Sequence, residues 1–155
     1  PGNYHALALG GRGATIYQHN TIAGYSELLR VGDRVETETG NMHGATETGV
    51  RARLEADDDD YDNDGRPDDE DDDDDDGLPD IEHGSKRLLL VPIVDGFEDV
   101  NGRGIVTVVG FGAFYLKGFG PSGTDEVVGR FVRYVSSGAM GSGPDFGTRV
   151  VKLSR

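Results

Sequence analysis

The sequence predicts a mainly β protein: an antiparallel β-sandwich or open barrel with one short helix and an inserted acidic loop. Three observations carry this expectation. Gly supplies 25 of the 155 residues while hydrophobic residues make up only 35%, a composition that favours many turns and short strands over long helices. The carboxy-terminal half alternates segments rich in Val, Phe and Tyr with clusters of Gly, Asn, Asp and Ser, at spacings typical of sandwiches. Finally, 18 of the 29 acidic residues lie within residues 55–82 beside one base, Arg66, which leaves 11 acids and 14 bases elsewhere. The net charge of −14 therefore belongs to a polyanionic insert in a near-neutral body. Cores of this length usually stay whole, so residues 1–155 are expected to form a single β-rich domain with the insert at residues 57–83.

The elements follow in order. Tyr4 to Leu9 and Ala14 to Tyr17 read as two short strands around the glycine turn Gly10, Gly11 and Gly13. Leu28 to Val31 and Arg34 to Thr37 flank Gly32-Asp33 as a hairpin or kinked strand. From Thr46 to Leu54, Val50 and Leu54 share one face of a short helix, with Thr46 as N-cap and Glu47 in the first turn. Beyond the insert come four strand signals: Leu88–Val94, Gly104–Leu116, Val127–Val135 and Thr148–Leu153. Pro92 lacks a backbone donor, which sends its strand to an edge or a bulge. Gly110 and Gly112 predict a bend in the longest strand.

The insert is a repeat as well as a charge run. Residues 60–71 and 72–83 align at a period of 12, each with Asp at positions 1, 3, 5 and 9, Gly at 6, Pro at 8 and Glu at 11. Carboxylates at 1, 3 and 5 can converge on one hard cation, and Gly at 6 permits the sharp turn that follows. Position 7 can add a backbone carbonyl, and position 9 can bind directly or through water. The candidate ligands are Asp60, Asp62, Asp64, Arg66, Asp68 and Asp71 in the first unit, and Asp72, Asp74, Asp76, Leu78, Asp80 and Glu82 in the second. Asp58, Asp59, Asp69, Asp73 and Asp75 leave other registers open. An all-oxygen set suits calcium; magnesium demands stricter octahedral geometry, and zinc wants His or Cys, of which only His83 is near. A featureless poly-Asp run is ordinarily a solvated linker, and the in-phase Gly and Pro argue against that here. Adjacent carboxylates repel, so the segment is expected to expand without cations and to compact with them.

An EF-hand would require Glu at position 12 and flanking helices; position 12 holds Asp71 and His83, and one loop abuts the next. The tandem Asp-x-Asp-x-Asp-Gly-x-Pro-Asp pattern instead resembles thrombospondin type 3 repeats over about 24 residues, which implies chain wrapped around calcium with little apolar core.

Other chemistries find little footing. There is no Cys, which excludes disulfides and thiolate metal sites. No apolar run spans a bilayer, and Pro1 in place of Met leads to the expectation of processing or trimming, with a cleaved signal peptide or anchor lying outside residues 1–155. The insert repels nucleic acid and no basic stripe attracts it. Gly118 to Gly123 matches G-x-G-x-x-G, but the strand-like Val127-Val128 follows where dinucleotide binding needs a helix. Ser26, Ser85, Ser122, Ser136 and Ser137 sit in no nucleophile elbow, and His5, His19, His43 and His83 show no paired spacing. Phe111, Phe114, Tyr115, Phe131 and Tyr134 at strand spacing read as core or cross-strand pairs. No N-x-S/T sequon occurs. The expectation is a protein that is not an enzyme.

Outside the insert the chain resembles the C-terminal region of TadG-like proteins associated with Flp pilus assembly. The carrying segments are Leu7 to Gly11, Val31 to Met42, Leu90 to Asp95, Val109 to Leu116 and Gly129 to Val132. Two departures from that family's pattern are noted: residues 1–155 hold no counterpart of its usual membrane-anchored amino-terminal part, and they carry the acidic insert. The resemblance implies a bacterial envelope or surface role and transfers no catalytic residue. Together with strand-forming termini, it leads to the expectation of a calcium-binding extracellular structural subunit that self-associates into a homopolymer or decorates a surface fibre by β-strand addition. The alternative is a monomeric adhesion or glycan-binding module.

Overall fold

A computed structural model describes residues 2–57, 59–60, 62–68, 70–71, 79, 81, 85–96, 100, 102–121, 126–136 and 148–153. The element order is β1 (Gly2–Tyr4), α1 (Ala14–Ala23), β2 (Arg34–Glu36), α2 (His43–Glu55), β3 (Leu88–Asp95), β4 (Ile105–Phe119), β5 (Glu126–Ser136) and β6 (Thr148–Leu153). Strand exceeds helix, as composition led one to expect. The six strands form one open sheet along the path β1-β6-β5-β4-β2, with β3 also on β4. Among the described residues there is no second sheet to complete a sandwich.

The long β4 organises the molecule. β3 and β5 pair antiparallel with it on opposite sides, both meeting Phe111, Gly112 and Ala113. Lower down, Thr107 has Asp95 on one side and Arg34 on the other, so β2 continues the side that β5 occupies above. β1 pairs parallel with β6, and a few residues later Leu7 bridges Thr37 while the Ala8 N–H donates to the Glu36 carbonyl at 2.8 Å. The amino-terminal segment therefore pairs at both limits of the path.

Two clusters of buried residues form along β4, separated by the register shift between Val108 and Gly110. Phe114 and Leu116 point to the face that receives Val50 and Leu54 of α2, joined by Leu89, Val91, Val127 and Phe131. Leu116 and Val50 are almost fully enclosed, and burying each contributes about 1.5–3 kcal/mol. Phe114 and Phe131 meet edge to face with centroids 5.0 Å apart. A second cluster unites Val35, Val106 and Val108 with Leu7, Leu9, Leu29, Val94 and Phe111. Register shifts on β4 at Ile93/Val94, and on the β5 side at Ala113/Phe114 and Leu116/Gly118, mark bulges. Such insertions bend a strand and re-aim its side chains.

Several expectations are corrected. Ala14 to Tyr17 is the start of α1, so the described residues hold two helices where one was expected. Thr15, Ile16 and Tyr17 favour strands intrinsically, but tertiary packing overrides that preference. Gly49 of α2 comes so close to Thr21 that a Cβ there would overlap its methyl group. The Tyr17 hydroxyl lies 3.1 Å from Thr46 Oγ1, and the Asn20 amide donates to the Leu9 carbonyl at 2.8 Å. The second correction concerns the start of α2, which begins at His43, earlier than Thr46. Met42 takes the N-cap position without a capping side-chain hydrogen bond, and Asn41 just ahead of it accepts the His43 N–H at Oδ1, 2.9 Å, in a local turn, while Thr46 is buried and its hydroxyl donates to the Met42 carbonyl. Leu28 to Val31 lies outside the strands, whereas the four strand signals beyond the insert become β3 to β6 within a few residues.

Candidate metal centre and its mounting

The first repeat unit forms a tight turn whose own backbone aims its carboxylates. The Asp64 N–H donates to Asp62 Oδ1 at 3.1 Å and the Arg66 N–H to Asp64 Oδ1 at 2.7 Å. These are local side-chain turns of the type Asp favours. The Gly65 N–H reaches back to Asp60 Oδ2 at 3.1 Å. Reversal of the chain needs left-handed backbone at Asn63, φ 62°, and at Gly65, φ 93°; glycine adopts that region without steric cost and Asn tolerates it. The result is that one carboxylate oxygen each from Asp60, Asp62 and Asp64 lies within 4.8 Å of the other two. This cluster could hold a metal ion.

Positions 1, 3 and 5 are thus brought together as the spacing demands. Asp68 and Asp71 do not belong to that group, although both are 5% exposed. Asp71 lies 3.5 Å from the Arg66 guanidinium, so Arg66 contributes a neutralising side chain in addition to its backbone. Asp60 Oδ1 is shut off from solvent with no hydrogen-bond partner among the described residues, and a buried anionic oxygen without a donor is costly unless a cation satisfies it. Asp72, Asp74, Asp76, Leu78, Asp80 and Glu82 lie outside the described residues.

The mounting of this loop was not legible as a site in the sequence. Asp57 Oδ2 accepts the Ser85 hydroxyl at 2.8 Å, the Arg87 N–H at 3.1 Å and the Lys86 N–H. One carboxylate thereby ties the entry of the insert to its exit. Arg53, buried in α2, donates from Nη1 to the Lys86 carbonyl at 2.7 Å and from Nε to the Thr21 carbonyl, so the exit strap is also held to both helices.

Above this base the loop rests on the sheet. Tyr115 is fully buried on the β4 face opposite Phe114 and Leu116, and its hydroxyl donates to Asp59 Oδ1 at 3.0 Å. Arg87 Nη1 lies 3.5 Å from the same oxygen, and Lys117 Nζ donates to Glu70 at 3.1 Å. Burial pushes the Tyr115 phenol well above the ordinary tyrosine value, and the hydrogen bond to Asp59 adds to that rise while Arg87 opposes it. The phenol accordingly stays protonated and serves as a donor. No family model, curated protein or solved structure matches the chain. The chemistry of the site therefore stands on these residues alone.

Tyr115 reads from the sequence as a core aromatic, and it is one; the missed feature is its hydroxyl. The available signal was Lys86-Arg87 immediately after the insert together with Lys117 two residues beyond Tyr115, bases placed to receive an acidic loop. Asp59, one of the acids that left other registers open, is occupied with Tyr115 and Arg87. Among the described residues no helix is long and apolar enough to cross a membrane.

Proposed function

We propose that this protein is a calcium-binding, non-catalytic structural module of an extracellular or cell-surface protein, in which the ion folds and stiffens the acidic insert. The observation that carries this reading is the convergence of Asp60, Asp62 and Asp64 within 4.8 Å. Unit charges about 4 Å apart repel by ~1 kcal/mol in water and ~4 kcal/mol at the effective dielectric of a protein surface. Three such carboxylates held together by turn geometry favour a divalent cation, and oxygen-only ligands favour calcium. Extracellular sites of this kind bind at about 10⁻⁴–10⁻³ M. At a hundredfold excess over Kd, calcium is expected to stabilise the fold by about 2.7 kcal/mol, raising the melting midpoint by roughly 5–10 °C for a chain of this size. Calorimetric titration of the parent and of Asp62→Asn/Asp64→Asn tests this. Equal heats for the two proteins, or no heat in the parent, would remove the proposal.

The wider setting we propose is a bacterial surface fibre to which the subunit contributes by strand addition, in keeping with the TadG-like resemblance of its β segments. Support comes from the arrangement of the termini. β1 and β6 lie side by side at one limit of the pairing path, and β6 is joined to β5 through residues 137–147, rich in Gly and Ser. The amino-terminal segment also reaches the β2 ladder, which supports a barrel-like closure that a neighbouring copy could complete instead. Light scattering at high protein concentration in millimolar calcium is expected to report species larger than the monomer; a strict monomer would favour the adhesion-module alternative.

A further inference from the structure

We infer that the junction of Asp59, Tyr115 and Arg87 couples occupancy of the Asp60–Asp62–Asp64 cradle to the β3–β4 ladder, with Tyr115 as the positioning residue for the cation loop. The inference rests on the calcium reading above and deepens it.

The path is short and continuous. Asp59 directly precedes the first cradle residue. Its carboxylate takes the Tyr115 hydroxyl and faces Arg87, and its carbonyl accepts the Asp68 N–H at 2.9 Å, which closes the loop beneath the cradle. Arg87 in turn forms the end of the β3–β4 ladder: its carbonyl accepts the Leu116 N–H at 2.9 Å, and its Nη1 donates to the Leu116 carbonyl at 3.4 Å. The backbone immediately ahead of Asp60 is therefore fixed by the same residue that finishes the ladder. Lys117, next along β4, adds the contact to Glu70 on the far side of the loop.

Two consequences follow from linkage. An anchored Asp59 preorganises Asp60, whose Oδ1 is enclosed without a donor among the described residues, so the anchor tightens cation binding by removing part of the ordering cost. Reciprocally, a bound cation relieves repulsion that would otherwise pull Asp59 from Tyr115, and so protects the ladder by the same factor. An insert that merely dangled from the body would show neither effect.

The test uses the full chain, with calcium ions as the probe. Calorimetry gives Kd, and hydrogen exchange with and without calcium follows the amides of Leu88 to Val91 and Tyr115 to Leu116. For Tyr115→Phe, calcium is expected to bind about tenfold more weakly, and the calcium-induced slowing of exchange at Leu88 to Val91 is expected to disappear. A general loss of stability would speed exchange with and without calcium alike and leave the calcium-induced difference intact. Asp59→Asn keeps the shape but loses the charge facing Arg87, and is expected to weaken binding by about threefold; it serves if Tyr115→Phe does not fold. Unchanged Kd and unchanged calcium-induced slowing in either variant would overturn the coupling while leaving the calcium site standing. Absence of calcium binding in the parent chain would overturn both.

Discussion

Gly129→Ala is expected to destabilise the protein by about 3 kcal/mol, because overpacking a filled interior costs ~1–3 kcal/mol and more when backbone blocks the added atom. Gly129 sits on β5 opposite Leu116. A Cβ at this position would overlap the carbonyl oxygen of Tyr115 and lie 2.7 Å from the Phe114 ring. A ring could rotate aside, but the carbonyl belongs to β4 and cannot move without opening the pairing between the two strands. The same displacement would shift Tyr115, on which the acidic loop rests. The control is Gly118→Ala, on β4, where nothing lies within 4 Å of an added Cβ and the effect is expected to stay within about 0.5 kcal/mol. Denaturant unfolding of both variants checks the contrast, and a Gly129→Ala protein as stable as the parent would refute the packing described here.

Asp57→Ala should cost a similar amount, about 3 kcal/mol, for a different reason. Its carboxylate accepts from the Ser85 hydroxyl and from the backbone N–H groups of Lys86 and Arg87. Hydrogen bonds to a charged acceptor contribute ~1.5–3 kcal/mol each, and removing the acceptor leaves donors unsatisfied, though such losses do not sum. Lys117 and Glu70 would still touch the sheet, so the loss concerns closure of the insert at its base. Beyond stability, the expected signature is local: faster hydrogen exchange at Lys86 and Arg87, with the β4–β5 pairing protected as before. An unchanged exchange pattern at those two amides would sink this account of the closure.

How much of this was readable in advance differs from element to element. Strands β3 to β6 were legible because β-branched and aromatic runs bounded by turn residues have few other uses. α1 was not, since Thr15, Ile16 and Tyr17 carry the local signature of a strand; in the fold they belong to a helix packed on α2, where Gly49 admits Thr21 at close range. Thr46 reads as an N-cap by residue type, yet the N-cap position falls at Met42, about one turn earlier. A candidate cap can be recognised in sequence, but which candidate is used depends on where the helix finds packing partners.

By itself, the sequence determined the cradle. Spacing of two between Asp60, Asp62 and Asp64, with Asn63 and Gly65 free to take left-handed backbone, contains all the local information needed to converge three carboxylates, because side chains there bond to backbone two to five residues away. Only the tertiary structure decided where that cradle is mounted. Asp57 meets Ser85, Asp59 meets Tyr115 and Glu70 meets Lys117 across separations of 28, 56 and 47 residues. Contacts that distant arise from how β4 lies in the sheet, with Phe114 and Leu116 committed to the core beside α2 and Tyr115 left to meet the loop. Local geometry is written into neighbouring residues, whereas the face a strand offers depends on everything that has already packed against it.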